Sequence, residues 1–308
     1  MSAPRIVLTG ATGFIGSAVL RELAGRAGRV RALARRDAGS RPPGVEWVKG
    51  DLSAPDSLRG ICDGADVLLH LASCVGSDAD RCAAVNERGS AAIAAEAVRA
   101  GVPRLVSLST TAVYGPGPHA GLDVDEVPPA PVSPASRTRL AGEVPVLAAG
   151  GVVLRPGLVL GAGDRWVVPA LAEFLRRVPA RWDGGRALLS VVDVRDLARL
   201  IAALTAGTVP GGIYHASHPV PVRNGELLEA LAGHGVLPRA EADWDWARCL
   251  TALRECSGQG SERQFSLLAR DHWYRSEAVW SAAGIDPGPG FLARSAESAG
   301  WYRERLQR

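Results

Sequence analysis

The sequence predicts an α/β protein: a doubly wound parallel sheet with a smaller, discontinuous second lobe. Arg5–Thr9 is a short apolar run that passes directly into Gly10-Ala11-Thr12-Gly13-Phe14-Ile15-Gly16 and then into a helix-periodic stretch reaching about Ala24. Apolar runs then alternate with helix-like segments as far as Ser109, the order that builds parallel βαβ units. Ser107–Gly115 closes this series as an apolar, β-branched run ending in hydroxyls. That is the pattern of a buried parallel strand whose carboxyl end faces the ligand crevice of an open α/β sheet.

A chain of 308 residues can bury a large core, as one large domain or two interlocked ones. With 47% hydrophobic and 22% charged residues and no apolar run long enough to span a bilayer, the composition is that of a soluble globular protein. The amino terminus reads as strand and turn rather than as a secretion signal, so a cytoplasmic location is expected. A net charge of only +3 without basic blocks argues against nucleic acid as a partner. Lys49 is the only lysine, and the arginine, alanine and glycine content points to a GC-rich coding genome. Five cysteines (Cys62, Cys74, Cys82, Cys249, Cys256) form no CxxC pair and read as reduced, mostly buried thiols. No His/Cys/Asp cluster has metal spacing, so no metal is expected. Nothing in the sequence decides the oligomeric state.

Taken in order, the first strand, glycine-rich turn and helix present backbone N–H groups and a positive helix end to a pyrophosphate. Gly10, Thr12, Gly13, Phe14 and Ile15 are therefore the expected cradle of a Rossmann-type dinucleotide site. Val30 to Ala34 is the second strand and ends in Arg35-Arg36. An acidic residue there would favour the ribose hydroxyls of NAD, whereas two guanidiniums suit the 2′-phosphate of NADPH. Asp37 follows them. Val45 to Val48 leads to Gly50-Asp51-Leu52, where Asp51 caps its loop or accepts from the adenine amino group, and Leu52 frames the ring. A helix is expected from about Pro55. Ala65 to Leu71 is the fourth strand, and Leu71, Ala72 and Ser73 let the cofactor backbone approach closely. His70, inside an apolar run, reads as a satisfied core histidine. Asn86 to Ala100 is helical, and Leu105 to Ser109 is the fifth strand.

In this order the motifs resemble the extended short-chain dehydrogenase/reductases, the NAD-dependent epimerase/dehydratase group. The resemblance covers nearly the whole chain. It rests on the Thr9–Gly16 turn, Gly50-Asp51-Leu52, His70-Leu71-Ala72-Ser73, Val85-Asn86 and Ser109–Gly115. Leu140-Ala141-Gly142-Glu143, Leu154-Arg155-Pro156-Gly157, Gly161-Ala162-Gly163-Asp164, the run from Val191 to Ala198 and Gly300-Trp301-Tyr302-Arg303 extend it. It implies an NADP-binding domain over residues 1–156 and 187–220 and a substrate-binding lobe over 157–186 and 221–308. Leu154 to Val159 would be a strand whose end, Pro156, Gly157 and Leu158, flanks the nicotinamide. Trp166 to Val178 would be a helix of the substrate lobe, and Leu188 to Val192 would return to the nucleotide sheet. A helix from Val194 to Leu204, a strand from Gly212 to His215 and a helix from Asn224 to Leu231 follow. Trp244, Trp246, Trp273, Tyr274 and Trp280 are expected to pack the lobe, one or two of them lining a pocket for a planar aromatic ligand.

The resemblance also implies that Thr110, with Ser109 beside it, hydrogen-bonds a substrate carbonyl. The family's tyrosine, which protonates the oxygen, and its lysine four residues on, which binds ribose, fall here on Ala135 and Arg139. A methyl group donates no proton. Arg139 can hold ribose or stabilise oxyanion charge but stays protonated. Losing a general acid costs about 10²–10⁴-fold in rate. Thr110, His119 in its Pro/Gly-rich loop, Ser136, water or a phenol on the substrate itself are the candidate replacements. The chain is similar to tyrosine-less ketoreductases that tailor angucyclinone polyketides. That similarity implies NADPH-dependent reduction of an aromatic polyketide carbonyl in antibiotic biosynthesis, with no membrane partner. A nucleotide-sugar epimerase or dehydratase, with Arg176, Arg177 and Arg181 on its pyrophosphate, and a non-catalytic NADPH sensor are the alternatives.

Overall fold

Seven short apolar segments satisfy their backbone groups by pairing side by side in one sheet. Its order is Gly212–His215, Val152–Arg155, Arg104–Leu108, Val67–His70, Arg5–Thr9, Arg29–Ala34, Val45–Lys49, and every neighbouring pair is parallel. The computed structural model describes residues 3–24, 28–36, 43–207 and 209–307. Asp37 lies outside the described residues. The chain starts mid-sheet, winds to one edge, then returns and winds to the other. The order therefore reverses between Arg5–Thr9 and Val67–His70, which opens a crevice at their carboxyl ends.

Alternation along the strands feeds two cores. Ile6, Leu8, Leu69 and Leu154 pack with the helices Phe14–Leu23 and Val194–Ala203 on one face. Val7, Leu68 and Val153 pack with the helix Gly89–Arg99 on the other. Burial on both faces is why these strands read as continuous apolar runs. A third core, including Leu160, Phe174, Trp182, Phe265 and Tyr302, belongs to the second lobe. There Val222–Arg223, Leu188–Leu189, His272–Tyr274 and His119–Leu122 form a small four-stranded sheet.

Several expected boundaries move. The strand expected over Leu154 to Val159 is broken: Val152–Arg155 stays in the large sheet, while Leu158–Leu160 pairs with Val191–Asp193 outside it. Pro156 has no N–H for a ladder, and Gly157 packs so tightly that a Cβ would lie 2.4 Å from the Ser190 carbonyl oxygen. For the same reason Leu188 to Val192 does not rejoin the nucleotide sheet. Leu188–Leu189 pairs with Val222–Arg223 and with His272. Conversely, the helix Glu277–Ala283, expected in the substrate lobe, buries Val279 and Trp280 in the nucleotide core. The Trp280 indole N–H donates to the Ser217 carbonyl at 2.7 Å. The helix expected from Pro55 is a single 3₁₀ turn, Pro55–Leu58. The aromatic stretch resolves into Trp246–Glu255, Glu262–Ala269 and the strand His272–Tyr274, with Trp246 stacked on Phe265 at 5.5 Å. Among the described residues, no helix is long and apolar enough to cross a membrane, and no side-chain cluster has metal-ligating composition.

Candidate active site

The crevice begins at Gly10. Its φ is +76°, and a Cβ would sit 2.6 Å from the Ala72 nitrogen and 2.7 Å from the Leu71 carbonyl carbon. Only glycine lets the turn pass the neighbouring strand this closely. Gly13 caps the helix Phe14–Leu23 without any side-chain cap, and the first turn carries no acidic residue. Its N–H groups are left for an anion, the arrangement a dinucleotide pyrophosphate fits. Thr12 and Gly13 are exposed, and Phe14 and Ile15 half-buried. A Cβ on Gly163 would lie 2.7 Å from the Phe14 ring, so the turn touches the second lobe.

His70 locks the other wall. Thr9 Oγ1 accepts from the Ala72 N–H at 3.2 Å and is hydrogen-bonded to His70 Nδ1 at 2.8 Å. His70 Nε2 is hydrogen-bonded to Ser90 Oγ at 2.8 Å. The ring is neutral, held down to about pKa 4 by burial and then by the nearby charge of Arg139. It is the satisfied core histidine expected, and it fixes Leu71, which is buried, and Ala72; Ser73 beyond them is exposed.

Arg35 and Arg36 are exposed at the end of Arg29–Ala34. Asp51 Oδ1 accepts from the Ser53 N–H at 2.9 Å and the Ser53 hydroxyl at 2.7 Å. Those bonds, with the fields of Arg35 and Arg81, hold its carboxyl below the usual range. Asp51 therefore caps its loop. Leu52 is buried and packs against Gly89.

At the end of Arg104–Leu108, Thr110 caps the one-turn helix Thr111–Tyr114. Its Oγ1 accepts from the Ala112 N–H at 3.2 Å, leaving the O–H to donate. Ser109, expected to share that role, is turned inward. It is buried and its hydroxyl donates to Glu143. Glu143 forms a buried ion pair with Arg155, Nε to Oε1 at 3.0 Å and Nη2 to Oε2 at 2.5 Å. Arg155 Nη1 donates to the Tyr114 hydroxyl at 2.8 Å, Tyr114 donates to His215 Nε2 at 2.7 Å, and His215 Nδ1 donates to the Arg275 carbonyl at 3.1 Å. Sequence reasoning missed this network because its members come from segments far apart along the chain.

Arg139 lies on the helix Pro134–Ala148, started by a Ser133–Ser136 capping box. Its Nη2 donates to the carbonyls of Leu108, at 3.1 Å, and Ser109, while its buried Nε has no partner. Burial holds its pKa down to about 10, so it is charged at neutral pH. It lines a small polar pocket with His70, Asn86, Ser90 and Glu143. Ala135 is half-buried in the first turn, and Ser136 is buried in the cap. Pro156 is buried, its carbonyl accepting from the Thr111 N–H at 3.0 Å. The Gly157 N–H donates to Ser217 Oγ at 2.9 Å, and Leu158 is half-buried.

His119, expected in a loop and able to swing inward, belongs instead to the strand His119–Leu122, and its Nδ1 lies 2.7 Å from the Tyr274 hydroxyl. A groove of about 430 Å³ lined by Pro4, Leu23, Arg199 and Ile285 lies at the amino ends of the strands, away from all these groups.

Residues 6–216 match the model of the NAD dependent epimerase/dehydratase family. The chain is 33% identical over 243 residues to a 4-hydroxy-2-methyl-3-oxo-4-farnesyl-3,4-dihydroquinoline-1-oxide ketoreductase of Stigmatella aurantiaca, covering 74% of this chain and 72% of that one. It is 32% identical to a 2-alkyl-3-oxoalkanoate reductase of Stenotrophomonas maltophilia, covering 92% and 94%. The fold is shared with MoeE5, solved with UDP-glucuronic acid and NAD, at a TM-score of 0.75 and 23% identity over 98% of this chain and 100% of that one.

The buried histidines set a pH dependence. Burial holds His70 and His215 each down to about pKa 4, and lowers His119 and His272 as well. Folded values below the unfolded value of about 6.5 mean that the unfolded chain binds more protons in between. The stability they contribute is complete above about pH 6.5 and is lost as pH falls through 4. His70 and His215 should each remove about 2 kcal/mol by about pH 5, lowering the urea midpoint relative to about pH 7.5. Equal midpoints at the two pH values would contradict neutral buried rings.

Proposed function

The chain belongs to the NAD-dependent epimerase/dehydratase family of extended short-chain dehydrogenase/reductases, NAD(P)-dependent oxidoreductases, and from that premise we propose that it is an NADPH-dependent ketoreductase. Its substrate is a hydroxylated aromatic polyketide of the angucyclinone type, reduced at a ring carbonyl in antibiotic biosynthesis. The observation that carries this reading is the pair Ala135 and Arg139. The usual acid is a methyl group, and the usual relay is a guanidinium bonded to the carbonyls of Leu108 and Ser109. Further support comes from the Thr110 hydroxyl, whose oxygen accepts from the Ala112 N–H and whose O–H stays free to donate.

Gly10, Thr12, Gly13, Phe14 and Ile15 would hold the pyrophosphate, Arg35 and Arg36 the 2′-phosphate, and Asp51 and Leu52 the adenine side. Leu71, Ala72 and Ser73 would back the dinucleotide, Arg139 the ribose, and Pro156, Gly157 and Leu158 the nicotinamide. When bound, the reduced nicotinamide supplies a hydride to the carbonyl carbon. Thr110 donates its free O–H to the carbonyl oxygen and orients it. The positive charge of Arg139 favours the developing oxyanion. A phenol beside the carbonyl, already hydrogen-bonded to that oxygen, delivers the proton. Ser109, committed to Glu143, takes no direct part.

Support for reduction over nucleotide-sugar chemistry comes from the second lobe. Arg177 donates to the Leu253, Cys256 and Gly260 carbonyls, and Arg181 pairs with Asp243, so two of the three arginines considered for a sugar pyrophosphate are engaged.

Paired aromatic ketones test the proton source: one with a free phenol beside the carbonyl, the other methylated there. NADPH oxidation with the free phenol alone is the expected outcome. Equal turnover of both would move the acid to the protein or to water, and turnover of neither would sink the substrate class. Thr110→Ala should lower kcat by about 10²–10³-fold with the fold intact, whereas a fall beyond about 10⁴ would make Thr110 itself the essential acid. Replacing Arg35 and Arg36 together by alanine should raise the KM for NADPH by about 100-fold and leave that for NADH unchanged. Parallel increases for both cofactors would refute the 2′-phosphate assignment.

A further inference from the structure

Two cysteines lie close together just beyond Ala72 and Ser73 of the crevice wall. Cys74 follows Ala72 and Ser73 and is half-buried. Asn86 grips its backbone on both sides: the Cys74 N–H donates to Asn86 Oδ1 at 2.6 Å, and its carbonyl accepts from Asn86 Nδ2 at 2.9 Å. Cys82 is fully buried at the end of the short helix Ala79–Cys82. Its Sγ lies 3.8 Å from the Gly76 carbonyl oxygen and 3.9 Å from that of its neighbour Cys74. Burial, together with that neighbour, pushes Cys82 up to about pKa 11. Gly76 between them has φ +142° and open space around the position a Cβ would take. Cys62 and Cys249 are buried in the separate cores of the two lobes, and Cys256 is exposed.

We propose that Cys74 and Cys82 are a reversible oxidation site, closing to a disulfide with hydrogen peroxide and thereby weakening NADPH binding at the adjoining wall. The Cys74 sulfur attacks the peroxide, the O–O bond breaks, and a sulfenic acid and one water result. The Cys82 sulfur then displaces hydroxide from that sulfenic acid, and its proton leaves with the hydroxide as a second water. Two thiols thus lose two hydrogens while one peroxide becomes two waters. A bond between the sulfurs draws Cys74 toward Cys82. The strain passes to Ala72, held by Thr9, and to Asn86, whose Nδ2 also donates to Thr138 Oγ1 at 3.0 Å. Thr138 precedes Arg139, so one cross-link reaches two parts of the cofactor site. The effect on affinity rests on the NADPH reading; the disulfide does not.

The test uses the full chain, with and without peroxide, alkylated and cut with trypsin. Cleavage after Arg81 separates the two cysteines, so a disulfide joins two peptides. The expected result is that joined pair in the wild type, its absence in Cys82→Ser and in Cys74→Ser, and its loss with dithiothreitol. NADPH affinity, followed by cofactor fluorescence, should fall at least ~10-fold on oxidation, recover with dithiothreitol and stay constant in peroxide-treated Cys82→Ser. Cys74→Ser, at the less buried position, supplies the same readout if Cys82→Ser does not fold. Alkylation of both thiols after peroxide would overturn the site. A disulfide with unchanged affinity would overturn its effect on the cofactor. A reduced protein that does not bind NADPH would remove the cofactor reading and the effect on affinity with it, and the joined peptides would still decide the disulfide.

Discussion

The ion pair between Glu143 and Arg155 is the constraint around which the reactive end of the crevice is arranged. Both side chains are 3% exposed, so each has given up a hydration shell worth several kcal/mol. That loss is tolerable only if the remaining hydrogen-bonding positions are filled. Ser109 supplies a donor to Glu143, and Tyr114 an acceptor to Arg155. Removing any of these leaves a polar atom stranded in a dry interior, so the group holds together as a unit. It also spans the site. Glu143 shares a helix with Arg139, Arg155 ends the strand before Pro156, and Ser109 precedes Thr110.

Within that frame, the absent phenol has not been replaced by another acid of similar strength. Arg139 supplies charge but spends donors on the carbonyls at the end of its neighbouring strand. His70 and His215 are kept neutral at physiological pH by their burial. On the ketoreductase proposal, what survives would be a surface that positions a carbonyl and favours negative charge on its oxygen. Orientation and electrostatic stabilisation are large terms in catalysis on their own. A substrate that carries its own acidic hydroxyl would match such a surface.

The parts of this arrangement that depend on short stretches of chain were legible beforehand. Gly10 needs its backbone angle wherever a strand turns into that helix, and the hydroxyls after Leu108 mark a strand end by local pattern alone. The Pro156–Gly157 break had a local signal too, since proline interrupts a ladder, but its consequence did not. Which sheet Leu188–Leu189 joins depends on pairings with His272, far along the chain. The inward turn of Ser109 follows from a carboxylate 34 residues away, and the position of His119 from a tyrosine 155 residues away. Such pairings are set by tertiary packing, which no window of sequence contains.

The helix Glu277–Ala283 bears on synthesis. Its Val279 and Trp280 complete a core begun by Ile6 and Leu8. During translation the nucleotide-binding half would ordinarily fold as soon as its own strands had left the ribosome. Here its hydrophobic interior lacks Val279 and Trp280 until that distant helix has emerged. Folding of the first half is thus coupled to translation of the helix Glu277–Ala283, and a ribosome that stalls before it releases a product with an unsealed core.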